Sequence, residues 1–301
     1  MSVQTVDLSP ITAVNFNGTA LTQVKLDGME IWPQMLYISG YRGVIAPELQ
    51  WIMSAQGGSS IAANTNIDLS NGESTVYTGN WTSVYASTIG SYTNILGATK
   101  YYYPLSGGSM LKTSTATSSN SDIIANGGFT MWITMFAYSA TSGWSRPFNY
   151  FNLASVSTAT VPNSGDQYRG PSVFMKRDSS YFQIARPSGS TSSASGNSNT
   201  FLISTTNPLT MVVRMSSSGV MTHWLRDPAV TVNAVNMTIS GSGPYGIRTT
   251  ANSAWPTFAD DIYWNQSAFN GIMESGFANR PFTDAECLSL VDNLNDEFKR
   301  V

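Results

Sequence analysis

Charged residues are scarce in this sequence. Asp, Glu, Lys and Arg together make up 11% of the 301 residues, less than half of the roughly 25% found in an average globular domain. Hydrophobic residues account for 42%, which is enough for a packed core and excludes a disordered polyelectrolyte. The net charge is −3 and no block of Lys or Arg occurs, so no segment would displace counterions from a phosphate backbone. We therefore expect no nucleic-acid partner.

The sequence also has only one cysteine and no long apolar run. The only cysteine is Cys287, so no disulfide can form within the chain. The most apolar run, residues 129–138, contains threonine and is about half as long as the roughly 20 apolar residues that a membrane-spanning helix needs. The opening residues, MSVQTVDLSPIT, have neither the basic nor the apolar region of a signal peptide. We expect synthesis in a cytoplasm, without a secretion signal and without membrane insertion.

Two glycine-containing dipeptides occur near the beginning of the chain. Asn17-Gly18 and Asp27-Gly28 each lie between alternating apolar residues. Both dipeptides tolerate the positive φ angles of a type I′ turn, so they predict hairpins. The pattern predicts a small three-stranded β-meander in residues 1–33, closed by Trp32-Pro33. A segment of this size buries too little surface to be stable alone, so it should pack on a neighbour.

The rest of the chain, residues 34–301, has the rhythm of a β-sandwich: short apolar stretches separated by Gly, Ser, Thr and Asn. Residues 129–138 are apolar at both alternating positions, which predicts a central strand. Residues 209–215 alternate, and a Ser/Gly turn leads into residues 220–225, which predicts a hairpin. We expect one large sandwich in this part of the chain.

The last twenty residues predict an amphipathic helix. Thr283 and Glu286 have the spacing of a capping box, and Phe282 with Cys287 has the spacing of a hydrophobic staple. At helical periodicity one face then carries Cys287, Val291, Leu294 and Phe298. We expect this face to lie on the sandwich.

The end of the sequence resembles a known domain family. The segments Phe277-Ala278-Asn279-Arg280 and Phe282-Thr283-Asp284-Ala285-Glu286 are similar to the closing strand and helix start of laminin-G and concanavalin A-like domains. The resemblance covers about residues 120–301, and residues 36–120 are assigned to the same domain by continuity. It implies a mainly β fold: a concanavalin A-like jelly-roll β-sandwich with one C-terminal amphipathic helix, preceded by the small β-meander.

The opening segment resembles a second pattern. Asn17-Gly18-Thr19 and the segment from Asp27 to Trp32 are similar to the beginnings of phage tail and other virion proteins. Together the two resemblances imply a non-enzymatic structural protein of a bacteriophage virion, in the tail, a fibre or the capsid decoration. Its partners would be other virion proteins and copies of itself, with a trimer favoured. The alternatives are a glycan-binding protein or lectin that recognises a host surface glycan and, third, a glycan hydrolase.

Enzymatic chemistry has few candidate residues. The only histidine, His223, lies in a predicted strand beside Trp224, where a packing or surface role is expected. No G-x-S-x-G motif is present, and Cys287 lies on the apolar helix face. Glycosidases of the resembled fold carry carboxylates spaced along one strand, as in Glu-x-Asp-x-Glu, whereas Asp260 and Asp261 are adjacent and would point to opposite faces. We therefore expect no hydrolytic activity.

Two kinds of binding site follow from the resemblance. Laminin-G-like domains often hold Ca²⁺ with carboxylates at the rim, and Asp122, Asp260 and Asp261 are the candidates; the alternative is that these are turn-forming or solvated aspartates. Sugar binding needs aromatic rings with Asn, Arg or Asp nearby. The candidates, in predicted loops, are Trp144, Arg146, Tyr168 and Arg169, and the alternative for these is ordinary packing at the rim.

Overall fold

A computed structural model describes residues 15–16, 19–20, 24–26, 29–32, 49–63, 65–69, 80–83, 88–104, 110–113, 128–137, 144–151, 172–176, 181–185, 193–196, 207–218, 220–227, 230–236, 238–239, 255–259 and 269–300. Within these residues the chain forms 21 β-strands, one short 3-10 helix (Ala55–Gly57) and one α-helix. They are β1 (Asn15–Phe16), β2 (Thr19–Ala20), β3 (Val24–Leu26), β4 (Met29–Trp32), β5 (Leu49–Ser54), β6 (Asn66–Asp68), β7 (Asn80–Ser83), β8 (Gly90–Thr93), β9 (Thr99–Tyr102), β10 (Met110–Thr113), β11 (Gly128–Ala137), β12 (Trp144–Phe151), β13 (Ser172–Lys176), β14 (Tyr181–Ala185), β15 (Ser193–Gly196), β16 (Leu209–Ser216), β17 (Met221–Asp227), β18 (Val230–Asn236), β19 (Thr238–Ile239), β20 (Trp255–Ala259), β21 (Phe269–Ala278) and α1 (Asp284–Phe298).

Most of these strands belong to two antiparallel sheets. The order of the larger sheet is β19-β15-β14-β13-β12-β20-β10-β7-β6, and that of the smaller is β18-β17-β16-β11-β21-β5. Strands β8 and β9 form a separate hairpin. The predicted mainly β sandwich with a C-terminal helix is confirmed.

The beginning of the chain forms two hairpins. Strand β1 pairs with β2 and β3 pairs with β4, and each register leaves two residues between the strands, Asn17-Gly18 and Asp27-Gly28. In the described part of this segment the pairing differs from one continuous three-stranded meander, because no ladder joins β2 to β3. The turn dipeptides set the pairing within a hairpin, but they place no constraint on the pairing between successive hairpins.

Strand β11 lies inside the six-stranded sheet and is buried on both faces. On one face Phe129, Met131 and Ile133 share an apolar cluster with Leu111 of the nine-stranded sheet. On the other face Trp132 shares a second cluster with the apolar residues of α1. The molecule therefore has three layers: the nine-stranded sheet, the six-stranded sheet, and helix α1 with the β8–β9 hairpin.

Helix α1 begins and packs as its sequence predicts. The Thr283 side chain accepts from the backbone N–H of Glu286, and the Glu286 carboxylate accepts from the backbone N–H of Thr283. The predicted apolar face is buried in the second cluster. Three charged pairs fix the helix on the six-stranded sheet and on the segment that follows β21: Arg214–Asp284 at 2.6 Å, Arg226–Asp292 at 2.6 Å and Arg280–Glu286 at 2.8 Å.

The β8–β9 hairpin holds the last turn of helix α1. The last carbonyls of a helix have no partner within it and need donors from elsewhere. Here the donors come from the hairpin. They are Tyr92 Oη to the carbonyl of Phe298 at 2.7 Å, Asn94 Nδ2 to that of Glu297 at 2.7 Å, and the N–H of Ile95 to that of Lys299 at 2.9 Å.

Candidate functional site

Two of the four predicted sugar-binding residues lie in a strand, not in a loop. Trp144 is the first residue of β12, and Arg146 lies in a register shift between Ser145 and Phe148. The segment is rich in aromatic residues, which favour strands, and Pro147 is tolerated because the ladder is interrupted at this bulge. The loop prediction for Trp144 and Arg146 is therefore corrected. Tyr168 and Arg169 lie outside the described residues.

The predicted Ca²⁺ ligands Asp122, Asp260 and Asp261 also lie outside the described residues. Strand β20 ends at Ala259, directly before Asp260, and Ala259 is paired with Met110. Across the described ranges, no group of three or more His, Cys, Asp or Glu side chains is close enough to hold a metal ion. Ca²⁺ binding stays a prediction.

The register assigns residues of the nine-stranded sheet to an inner and an outer face. Leu111 is buried in the cluster between the sheets, and Ile67 packs against that cluster, whereas Asp68 is exposed. Cross-strand partners share a face, and successive residues of a strand alternate. From Leu111 the inner row is apolar and runs through Phe258, Phe148, Val173 and Ile184. The described part of the chain places α1, its one α-helix, on the six-stranded sheet.

A polar row crosses five strands on the outer face. The registers place Asn66 opposite Thr82, Thr82 opposite Lys112, Lys112 opposite Thr257, and Thr257 opposite Asn149. Neighbouring strands lie about 4.8 Å apart, so the row is about 19 Å long. Every residue of this row can form hydrogen bonds, and the two asparagines both donate and accept.

Aromatic residues flank the polar row on the same face. Phe151 is opposite Trp255 two residues from the row. At the other end of β12, Trp144 is opposite Lys176, which is opposite Tyr181 on the next strand. The predicted Trp144 therefore belongs to a cross-strand group of two aromatic residues and a lysine. By register, the outer-face positions of this sheet therefore include both residues that can form hydrogen bonds and aromatic residues.

Sequence reasoning missed the polar row. Its members come from five separate segments between residues 66 and 257, and each segment is short. Neither MLKT nor WPTFA alternates between polar and apolar residues, so the periodicity of these segments does not reveal the row. A single segment also does not indicate which strands are its neighbours.

The only histidine and the only cysteine of the chain are both buried. His223 is 0% exposed in β17, and burial lowers its pKa to about 4, so its imidazole is neutral at pH 7. Cys287 is also buried, and burial raises the pKa of its thiol to about 12. A protonated thiol is a poor nucleophile. The core position expected for Cys287 is confirmed, and His223 has a packing role.

The carboxylates with described side chains fall into three groups. Asp284, Glu286, Asp292, Asp296 and Glu297 are on helix α1, Asp68 is on the edge strand β6, and Asp227 and Glu274 are buried in the six-stranded sheet. Glu274 is 1% exposed and accepts a long hydrogen bond of 3.5 Å from Ser54 Oγ. Glu274 therefore lies in the interior and not at a surface that a polysaccharide could reach. No described helix has the length and hydrophobicity required to cross a membrane.

No protein-family model matches the sequence, and no curated protein is similar to it in sequence. Similar solved structures include domain 4 of AbnA, an extracellular arabinanase from Geobacillus stearothermophilus in complex with arabinotriose, at 13% identity and a TM-score of 0.49, covering 81% of this chain and 98% of that one. They also include the binding domain of botulinum neurotoxin DC in complex with SialylT, at 12% identity and a TM-score of 0.44, covering 78% of this chain and 52% of that one. A third is Trypanosoma rangeli sialidase, at 11% identity and a TM-score of 0.45, covering 85% of this chain and 35% of that one. The chain spans about half of the neurotoxin chain and about a third of the sialidase chain.

Proposed function

We propose that this protein is a non-enzymatic glycan-binding module that a bacteriophage presents on the surface of its virion. The observation that carries the glycan-binding part is the polar row of the nine-stranded sheet, flanked on the same face by Trp255 and Phe151 and by the Trp144–Lys176–Tyr181 group. The concanavalin A-like character of the sandwich is part of this proposal, since it rests on the resemblance of residues 277–286.

The recognition follows from the two kinds of residue on the face. Sugar hydroxyls both donate and accept hydrogen bonds, and Asn and Thr side chains can do the same. The apolar C–H face of a sugar ring packs on an aromatic ring, which provides a large rigid contact area at a low cost in conformational entropy. A row about 19 Å long suits a linear oligosaccharide that lies across the strands. Hydrogen bonds from the row would fix the direction and position of the oligosaccharide, and the aromatic residues would provide contact area.

The virion assignment rests on the opening segment. Strands β1 to β4 contain two to four residues each, and isolated hairpins are at best marginally stable in water. They need a surface to pack on, which a neighbouring virion protein or a second copy of this chain would provide. We assign residues 1–33 to attachment and residues 34–301 to the exposed sandwich, with a trimer as the expected assembly.

The absence of catalysis is also part of the proposal. A hydrolase would need a base or nucleophile that is accessible and reactive, but His223 is a buried neutral imidazole and Cys287 a buried thiol. Retaining glycosidases need two carboxyl groups roughly 5–5.5 Å apart at the substrate, and the row itself contains no carboxylate. Release of reducing sugar from a bound polysaccharide, abolished by one Asp→Asn change, would overturn this part.

A printed array of bacterial surface polysaccharides tests the glycan-binding part. We expect the parental protein to bind, and Asn149→Ala and Thr82→Ala to bind about tenfold more weakly, since each removes hydrogen bonds worth about 1.4 kcal/mol. Thr231→Ala is the matched control because Thr231 is exposed on edge strand β18 of the other sheet. Equal melting temperatures would show that the variants fold. Equal binding by all four proteins would refute the site, and detection of the protein in purified phage particles by mass spectrometry tests the virion part.

A further inference from the structure

The sheets differ in how their positive charges are arranged. Of the five lysines in the chain, Lys100 pairs with Glu297 at 2.7 Å and Lys299 pairs with Asp296 at 2.6 Å, both on helix α1. The arginines around the six-stranded sheet pair with acidic residues of the same helix. Helix α1 thus provides the acidic partner in each of these described charged pairs. Lys112 and Lys176 belong to the other sheet.

Both of these lysines are at outer-face positions. The cross-strand partners of Lys112 are Thr82 and Thr257, and those of Lys176 are Trp144 and Tyr181. No carboxylate is directly opposite either lysine. The one acidic residue at an outer-face position of the described strands is Asp68, on edge strand β6. At the described strand positions this face therefore carries two lysines and one aspartate, in a protein whose net charge is −3.

The spacing of the two lysines restricts the ligand. Three strand spacings and four residues along the strand separate them, which places their backbones about 20 Å apart. A single small anion would meet only one lysine at that distance. A linear chain with an anionic group at intervals would reach both, and it would pass over the polar row and the aromatic group.

We propose that the outer face of the nine-stranded sheet binds a linear acidic polysaccharide whose carboxylates pair with Lys112 and Lys176. This inference rests on the proposed glycan-binding function and adds the ligand class. The Trp144 and Tyr181 positions beside Lys176 would receive the ring of an acidic sugar, and Lys176 its carboxylate. The Asn and Thr residues around Lys112 would receive hydroxyls of a second acidic sugar further along the chain. Ion pairs between solvated groups weaken with salt, so binding should fall as ionic strength rises.

The test uses uronic-acid-containing capsular polysaccharides, each beside its carboxyl-reduced form, in which the same backbone is neutral. The full-length parent, Lys112→Gln and Lys176→Gln are titrated against both forms. Lys299→Gln is the matched control because it removes the same charge from the far side of the molecule. We expect the parent to prefer the uronate form by about tenfold or more, and each outer-face variant to lose about tenfold, as loss of one charge-assisted hydrogen bond predicts. Lys112→Arg should keep most of the binding, and Lys299→Gln all of it.

The outcomes separate this inference from the function on which it rests. If the parent binds both forms equally and the lysine variants bind like the parent, while Asn149→Ala and Thr82→Ala lose binding, the face binds glycans but has no preference for acidic ones. The inference is then overturned and the proposed function stands. If the parent binds neither form of any polysaccharide, both are overturned. Unchanged melting temperatures of the glutamine variants exclude misfolding as the cause of lost binding.

Discussion

Removing the Asn94 side chain should loosen the end of helix α1. Asn94 is 5% exposed, and its side chain makes three hydrogen bonds. Nδ2 donates to the carbonyl of Glu297 at 2.7 Å, and Oδ1 accepts from the N–H groups of Leu96 at 3.1 Å and Ala98 at 2.8 Å. The side chain therefore both shapes the hairpin turn and caps the helix.

The magnitude follows from these contacts. A hydrogen bond in a folded protein contributes about 0.5–1.5 kcal/mol net, and a buried group left without a partner costs more. We expect Asn94→Ala to lower the free energy of unfolding by about 2–4 kcal/mol. The adjacent Thr93→Ala is the control, because Thr93 is exposed and a surface substitution usually changes stability by less than about 0.5 kcal/mol.

Denaturant unfolding gives the stability, and hydrogen exchange gives its location. The amides of residues 290–300 should exchange faster in Asn94→Ala than in Thr93→Ala, while those of β11 should keep the protection that the lower global stability allows. If the two variants unfold at the same denaturant concentration, or exchange at the helix end is unchanged, the β8–β9 hairpin does not hold the helix and the reasoning fails.

Four further predictions concern stability and assembly. Leu294→Asp should cost about 3–5 kcal/mol because it places a charge at a fully buried position; a variant with the parental melting temperature would contradict this. Gly276→Ala should cost about 1–3 kcal/mol in denaturant unfolding, since a Cβ there would overlap the indole of Trp132; parental stability would show that the indole moves aside without penalty. The pKa of His223 is about 4 in the folded protein and about 6.5 when unfolded, so the unfolded state binds the extra proton between these values. The contribution of His223 to the free energy of unfolding should be complete above pH 6.5 and fall by about 3 kcal/mol as the pH drops to 4. His223→Leu should therefore flatten the pH dependence of the urea midpoint, and an unchanged profile would contradict this prediction. Deleting residues 1–33 should leave a cooperatively melting sandwich but prevent incorporation into particles when a phage lacking the gene is complemented; normal incorporation would refute the attachment role.

The amino-acid sequence determined the elements whose signals are local. The capping box of Thr283 and Glu286, the apolar face of helix α1 and the two-residue hairpin spacings at Asn17-Gly18 and Asp27-Gly28 all depend on residues within one turn or a few turns of chain. The burial of β11 on both faces followed from its composition. Each of these features is set by short-range hydrogen bonding or by the periodicity of a single element, so one segment at a time is sufficient to predict it.

Only the tertiary structure decided how the segments combine into a surface. The polar row joins residues as far apart in the chain as Asn66 and Thr257, and Trp144 lies beside Lys176 because β12 pairs with β13. Strand order and register depend on pairing between segments that are distant in the chain, which no single segment encodes. A shift of one residue in any of these strands would exchange its inner and outer residues. The candidate site is therefore a property of the packed sheet, and the sequence alone contributed its individual residues without their neighbours.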